Sequence, residues 1–144
     1  MFCIILFFIY IFVLEITKTT KMITQNDKNY STIMHLSTFL GWFFPFGNII
    51  APLILWIAKK SESSFIDEHG KAALNFQLSI TLYSFLLALL IIPITILTLG
   101  LGLIAVILGI IPAFILTLVF VIGASIKASN GELYDYPFTI DFIK

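Results

Sequence analysis

Few residues in this chain have side chains suited to catalysis or ligation. His35 and His69 are the two histidines and Cys3 is the one cysteine. A lone cysteine closes no internal disulfide and completes no thiolate zinc site. No HExxH or comparable spacing surrounds either histidine. Asp67 and Glu68, the acids beside His69, point to different faces of a helix. No metal site, cofactor or enzymatic activity is expected from this inventory. The densest polar run is Asp67-Glu68-His69-Gly70-Lys71-Ala72-Ala73-Leu74-Asn75-Phe76-Gln77. On a helix, Glu68, Lys71, Asn75 and Ser79 fall three and four residues apart and make one polar stripe, with His69, Ala73 and Phe76 on an adjacent face. Such a stripe is solvated as the helix leaves water, glues helices through Asn75, or lines a path for a polar solute. Asn75 and Gln77 sit just below an expected membrane interface, where unpaired amides are costly and seek partners. Glu68, His69, Lys71, Asn75, Gln77 and Ser79 are thus the candidate packing or path-lining residues.

The elements that position these residues follow from charge and hydropathy. Of 144 residues, 60% are apolar and 11% charged, and the mean hydropathy is +1.08. A soluble domain carries about a quarter charged residues, so a soluble globular fold is excluded. Eight lysines balance eight acids with no arginine, which leaves no basic surface for nucleic acid. Residues 72–126, 55 in a row, carry no acid, lysine or histidine. As one helix they would run about 80 Å, far beyond one crossing of a core about 30 Å thick. The chain must fold back, and Thr98-Leu99-Gly100-Leu101-Gly102 is the weakest helix-forming stretch. This predicts membrane helices at 72–97 and 102–126. Ala105, Gly109, Ala113 and Thr117 recur every four residues on the second, a small-residue stripe expected to pack against the first. Pro93 and Pro112 are positioned to kink both.

An earlier apolar element covers 33–58 and ends on Trp56, Lys59 and Lys60, an aromatic and basic interface anchor. Pro45-Phe46-Gly47-Asn48 interrupts it. Either one kinked helix spans there, or two half-helices dip in and return. The uncharged turn at 98–102 belongs outside, with Lys59, Lys60, Lys71 and Lys127 inside, so the 59–71 connection and the C-terminus are expected in the cytoplasm. Residues 1–21 contain a wholly apolar run, 2–14, too short to span, and read as an extension or short anchor. A polar leader follows at 22–32. Asn130-Gly131 is a good helix stop. The tail, 130–144, alternates apolar and polar residues, which describes an extended segment lying at the interface through Tyr134 and Tyr136. The fold class is an all-α integral membrane protein with three membrane helices, or four if the N-terminal run inserts, in a single domain over 33–144.

Met34-His35-Leu36-Ser37, Pro52-Leu53-Ile54-Leu55-Trp56, the Asp67 to Gln77 block and Gly131-Glu132-Leu133-Tyr134-Asp135-Tyr136-Pro137-Phe138 resemble a family of small bacterial multi-pass membrane proteins. That family carries a domain of unknown function described as similar to the channel-like Tic translocon subunit of the chloroplast inner envelope. The resemblance covers about residues 30–144 and implies a multi-helix domain of the bacterial inner membrane without an established activity. The expected function is a non-enzymatic subunit that packs with itself or another membrane protein; the alternative is a channel or translocation component, and an intramembrane enzyme comes third. The last lacks a carboxylate or lysine inside the spans. The lipid bilayer is the one partner the composition requires.

Overall fold

The computed structural model describes residues 23–144, so the expectations for residues 1–21 lie outside the described part. The described residues form four helices and no strand. Helix α1 is Gln25–Leu36 and continues as a 3-10 turn, Ser37–Trp42. Helices α2 (Gly47–Lys59), α3 (Ser64–Leu97) and α4 (Gly102–Asn130) follow, then an irregular tail. Two of these, α3 and α4, are long and apolar enough to cross a membrane. A third membrane-crossing helix is not among them, because α2 has 13 residues, about 20 Å.

Local chemistry explains the boundaries. Thr24 and Asp27 make a reciprocal capping box that starts α1: the Asp27 amide donates to Thr24 Oγ1 at 3.1 Å, and the Thr24 amide donates to Asp27 Oδ2 at 2.9 Å. The cap of α3 is Ser63, and its side chain makes no capping bond. Asp67 ties α3 to α2 instead of serving the helix end. The α3–α4 turn occupies 98–101, with Leu99 at φ 49° and Gly100 at φ 99°. Gly131 closes α4 in the left-handed region at φ 84°.

The 33–58 element is two antiparallel arms, not one bent rod. Tyr30 Oη of α1 donates to the Leu55 carbonyl of α2 at 2.7 Å, and Lys59 Nζ lies 5.2 Å from the Tyr30 ring centre. At the other end the arms touch through glycines: a Cβ on Gly47 would stand 2.5 Å from the Leu40 carbonyl oxygen, and one on Gly41 2.7 Å from Asn48 Cβ. The helix-breaking quartet noted above is the tip, with Phe46 at φ 60°.

The spans and the core lie at opposite ends. No residue from 80 to 120 is buried. Burial collects in a base made from α1, the first turns of α3, the last turns of α4 and the tail, with Met34, Ile66, Ala73, Leu74, Val121 and Ala124 essentially inaccessible. Apolar residues thus pack where water would reach them and stay open where lipid would, the distribution expected when lipid replaces a core.

The small-residue stripe does not make the expected contact with α3. Ala105, Gly109 and Ala113 are exposed, and nothing lies within 4 Å of a Cβ built on Gly109. The two spans meet at Gly102 against Thr95 and at Phe76 against Phe120, and between these points leave an apolar cleft of about 400 Å³. Turn and base hold the ends together, but in lipid no hydrophobic force closes the middle.

Candidate functional site

The base is organised by a buried chain of three polar side chains. Tyr136 Oη lies 2.9 Å from His35 Nδ1, and His35 Nε2 lies 2.8 Å from His69 Nδ1. His35 is wholly inaccessible and His69 is 1% exposed. Each short contact needs one donor and one acceptor, so the facing nitrogens cannot both carry protons. The arrangement that uses the phenol proton runs in one direction. Tyr136 donates to His35 Nδ1, His35 Nε2–H donates to His69 Nδ1, and His69 Nε2 keeps the last proton. Both imidazoles are then neutral. Burial raises the Tyr136 phenol well above its ordinary value, which keeps the donor in place. The rings also pack: His69 stands edge-on to Phe65 at 4.4 Å, and Tyr136 stacks on Phe76 at 4.1 Å.

In the sequence His35, His69 and Tyr136 stand as separate features, and nothing there signals the relay. Tyr136, expected as an interface anchor, is 7% exposed and sits in the core. Its hydroxyl has a buried acceptor, so the ring gains nothing from the headgroup region. Tyr134 packs edge-on to it at 4.9 Å and is half-buried.

The polar stripe of α3 is a docking strip for the tail. Asn75 Nδ2 donates to the Ile143 carbonyl at 3.0 Å, while the Ile143 amide donates to Asn75 Oδ1 at 2.9 Å. One turn on, the Ile140 amide donates to Ser79 Oγ at 2.8 Å, and Ser79 donates to the Asn75 carbonyl. Another turn on, Tyr83 Oη donates to the Phe138 carbonyl at 2.9 Å. Side chains at intervals of four thus do for an extended backbone what a neighbouring strand would do. The strict alternation expected of the tail breaks at Phe138, which has φ 59° and is 84% exposed. Replacing Asn75 by Ala should free residues 140–144, with Ile143 amide protection from hydrogen exchange falling by about 1–3 kcal/mol. Unchanged protection there would count against the strip.

The stripe does not line one continuous path. Glu68, His69, Lys71 and Asn75 border a cavity of about 450 Å³ under the tail, with Asp135 and Asp141 opposite. Gln77 borders a separate cavity of about 290 Å³ with Thr38, Trp42 and Asn48, and its Oε1 accepts from Asn48 Nδ2 at 3.0 Å. Ser79 is buried between α3 and the tail. No group of three or more His, Cys, Asp or Glu side chains suited to a metal occurs among the described residues.

Trp56, Lys59 and Lys60 share a second junction. Trp56 Nε1 donates to Asp67 Oδ1 at 2.8 Å, Lys71 pairs with Asp67 Oδ2 at 2.6 Å, and Lys60 Nζ sits 4.4 Å from the Trp56 ring centre. Burial pushes the Asp67 carboxyl up, but the bonds from Lys71 and Trp56 outweigh it and hold it below its ordinary value. Gly70 lets the indole lie directly on α3, since a Cβ there would collide with Trp56. Lys59 bonds Glu62 at 3.0 Å.

A model described as the magnetosome magnetite crystal formation protein family matches residues 26–143. No curated protein and no solved structure matches the chain. None of the comparisons supports the likeness to the Tic translocon subunit.

Proposed function

The chain belongs to the magnetosome magnetite crystal formation protein family, and from that membership we propose that it serves crystal formation as a non-enzymatic integral membrane subunit. One observation carries this reading. The polar groups of the base bond chiefly to one another, while the spans offer an uncharged, mainly apolar surface. A catalytic site needs a poised acid, base or nucleophile facing a substrate cavity. Here His35 is enclosed, and His69, although it borders the cavity under the tail, is 1% exposed and committed through Nδ1 to the relay.

In the proposed topology α3 and α4 cross the bilayer and the α1–α2 hairpin enters and leaves from the base side. Lys28, Lys59, Lys60, Lys71 and Lys127 then share that side, and the positive-inside rule makes it the cytoplasm. The placement of Lys28 Nζ 3.4 Å from the Asn130 carbonyl supports a common level for the start of α1 and the end of α4. Cysteines at positions 28 and 60, in a Cys3→Ser background, should label from the cytoplasmic side and one at position 100 from the other. Opposite labelling of 28 and 60 would sink the hairpin.

The face of Ala105, Gly109 and Ala113 is the proposed assembly surface, because it borders the cleft that the two spans leave between them. Gly109→Leu should abolish crosslinking between copies in native membranes while leaving thermal stability within about 0.5 kcal/mol of wild type. Crosslinking that persists in this variant would move the contact elsewhere.

A further inference from the structure

The proposed topology gives the molecule unequal halves. Beside the base half of α3 and α4 stands the α1–α2 hairpin, whose tip residue Trp42 meets Phe114 of α4 at 5.3 Å between ring centres. Phe114 lies 13 residues from Lys127, and Ile80, which borders the same cavity, lies nine from Lys71. The tip therefore reaches about 14–20 Å past the lysines along charge-free helices roughly 40 Å long, and stops in the base-side leaflet. Beyond it, among the described residues, only α3, α4 and their short turn continue.

The tip is built to meet acyl chains. Trp42, Phe43, Phe44 and Phe46 are 60%, 74%, 65% and 65% exposed. Their surface is continuous with the lipid-facing side of α4 through the Trp42–Phe114 contact. Irregular backbone at membrane depth is tolerated where protein shields it, and the tip lies against α3 through Asn48–Gln77 and against α4 through Trp42–Phe114. Here the Phe43 and Phe44 amides donate to the Leu40 carbonyl, Gly47 to Phe44, and Ile49 to Phe46, all at 3.0 Å. Residues 31–58 carry no charge except what His35 would bear, and His35 is locked in the relay.

We propose that the protein is a one-sided membrane wedge that favours curvature with the base-side leaflet convex. This rests on the membrane-subunit reading and on the re-entrant hairpin. Among the described residues, four helical segments displace lipid in the base-side leaflet and two in the other. With helices about 10 Å across, the excess is on the order of 150 Å² per copy. A molecule of that shape lowers its packing mismatch where the wide leaflet is stretched.

Two measurements on the full chain test the wedge. With Trp56→Phe leaving Trp42 as the sole indole, phosphatidylcholine vesicles brominated deep in the acyl chain should quench Trp42 more than vesicles brominated near the headgroup. Separately, a Cys3→Ser, Lys144→Cys chain in giant vesicles of phosphatidylcholine and phosphatidylglycerol is labelled from outside, so that only copies with the base outward are seen. Those copies should be several-fold enriched, relative to a lipid dye, in a narrow tether pulled outward, and Phe43→Ser/Phe44→Ser should reduce the enrichment. Deep quenching with equal density in tether and vesicle would overturn the wedge and leave the membrane subunit standing. Shallow quenching would overturn both the hairpin depth and the wedge. Crosslinking between copies through Phe44→Cys would show a second copy on the tip in place of lipid, and would also overturn it.

Discussion

Replacing His35 by leucine should lower the stability of the base by about 2–5 kcal/mol. Leucine nearly matches the imidazole in volume, so cavity formation is a minor part of the loss. What goes is the middle of the relay: the Tyr136 hydroxyl and His69 Nδ1 both lose their partner inside a region closed to water. Each stranded polar group costs about 1–3 kcal/mol. Tail residues after Gly131 should become sensitive to protease before the spans unfold, because Tyr136 is what seats them against Phe76. The triple variant His35→Leu/His69→Leu/Tyr136→Phe should recover part of the loss, since removing every polar member leaves none unpaired. Chemical denaturation in mild detergent followed by tryptophan emission reads the difference. A single variant as stable as wild type would show that the relay is not a source of stability.

Gly47→Ala should cost about 1–3 kcal/mol and part the arms of the α1–α2 hairpin. The new methyl would meet the Leu40 carbonyl at 2.5 Å from oxygen and 2.7 Å from carbon. Both are backbone atoms, so no side-chain rotation relieves the contact. Opening the arms also strains the Asn48–Gln77 bond that joins the tip to α3. Gly109→Ala is the control: it is a helical glycine too, yet nothing stands within 4 Å of the added methyl. It should match or slightly exceed wild type, because alanine favours helix by about 1 kcal/mol over glycine. If Gly47→Ala were as stable as Gly109→Ala, both at or above wild type, helix propensity would decide and the hairpin's close approach would not.

The α3–α4 hairpin was legible because charge is absent over a length that one bilayer cannot hold, and the break at 98–102 stood alone inside it. The stop at Asn130-Gly131 was legible for the same local reason. The relay was not: His35 and His69 lie 34 positions apart, and Tyr136 lies 101 beyond His35. No periodicity links them, and an isolated histidine in an apolar run carries no sign of its partner. The tail shows the intermediate case. Its extended character was visible in the alternation, and the stripe on α3 was visible in its spacing. That the stripe would serve as the tail's missing strand required the chain to turn back at Gly131. The small-residue stripe faces α3 across the cleft without closing on it, since spacing says that a face is smooth and not how near its neighbour comes.

Among the described residues, Thr98-Leu99-Gly100-Leu101 is all the polypeptide that the proposed topology carries beyond the far face of the bilayer, and it holds no charge. Moving a lysine or aspartate into the membrane centre costs roughly 2.5–3.5 kcal/mol on insertion scales, and residues 72–126 ask for no such passage. The helical pair can therefore enter from the cytoplasm already folded on itself, with the α1–α2 arms following from the same side. Neither a membrane potential nor a motor that pulls hydrophilic chain across is needed for these residues to reach their final place.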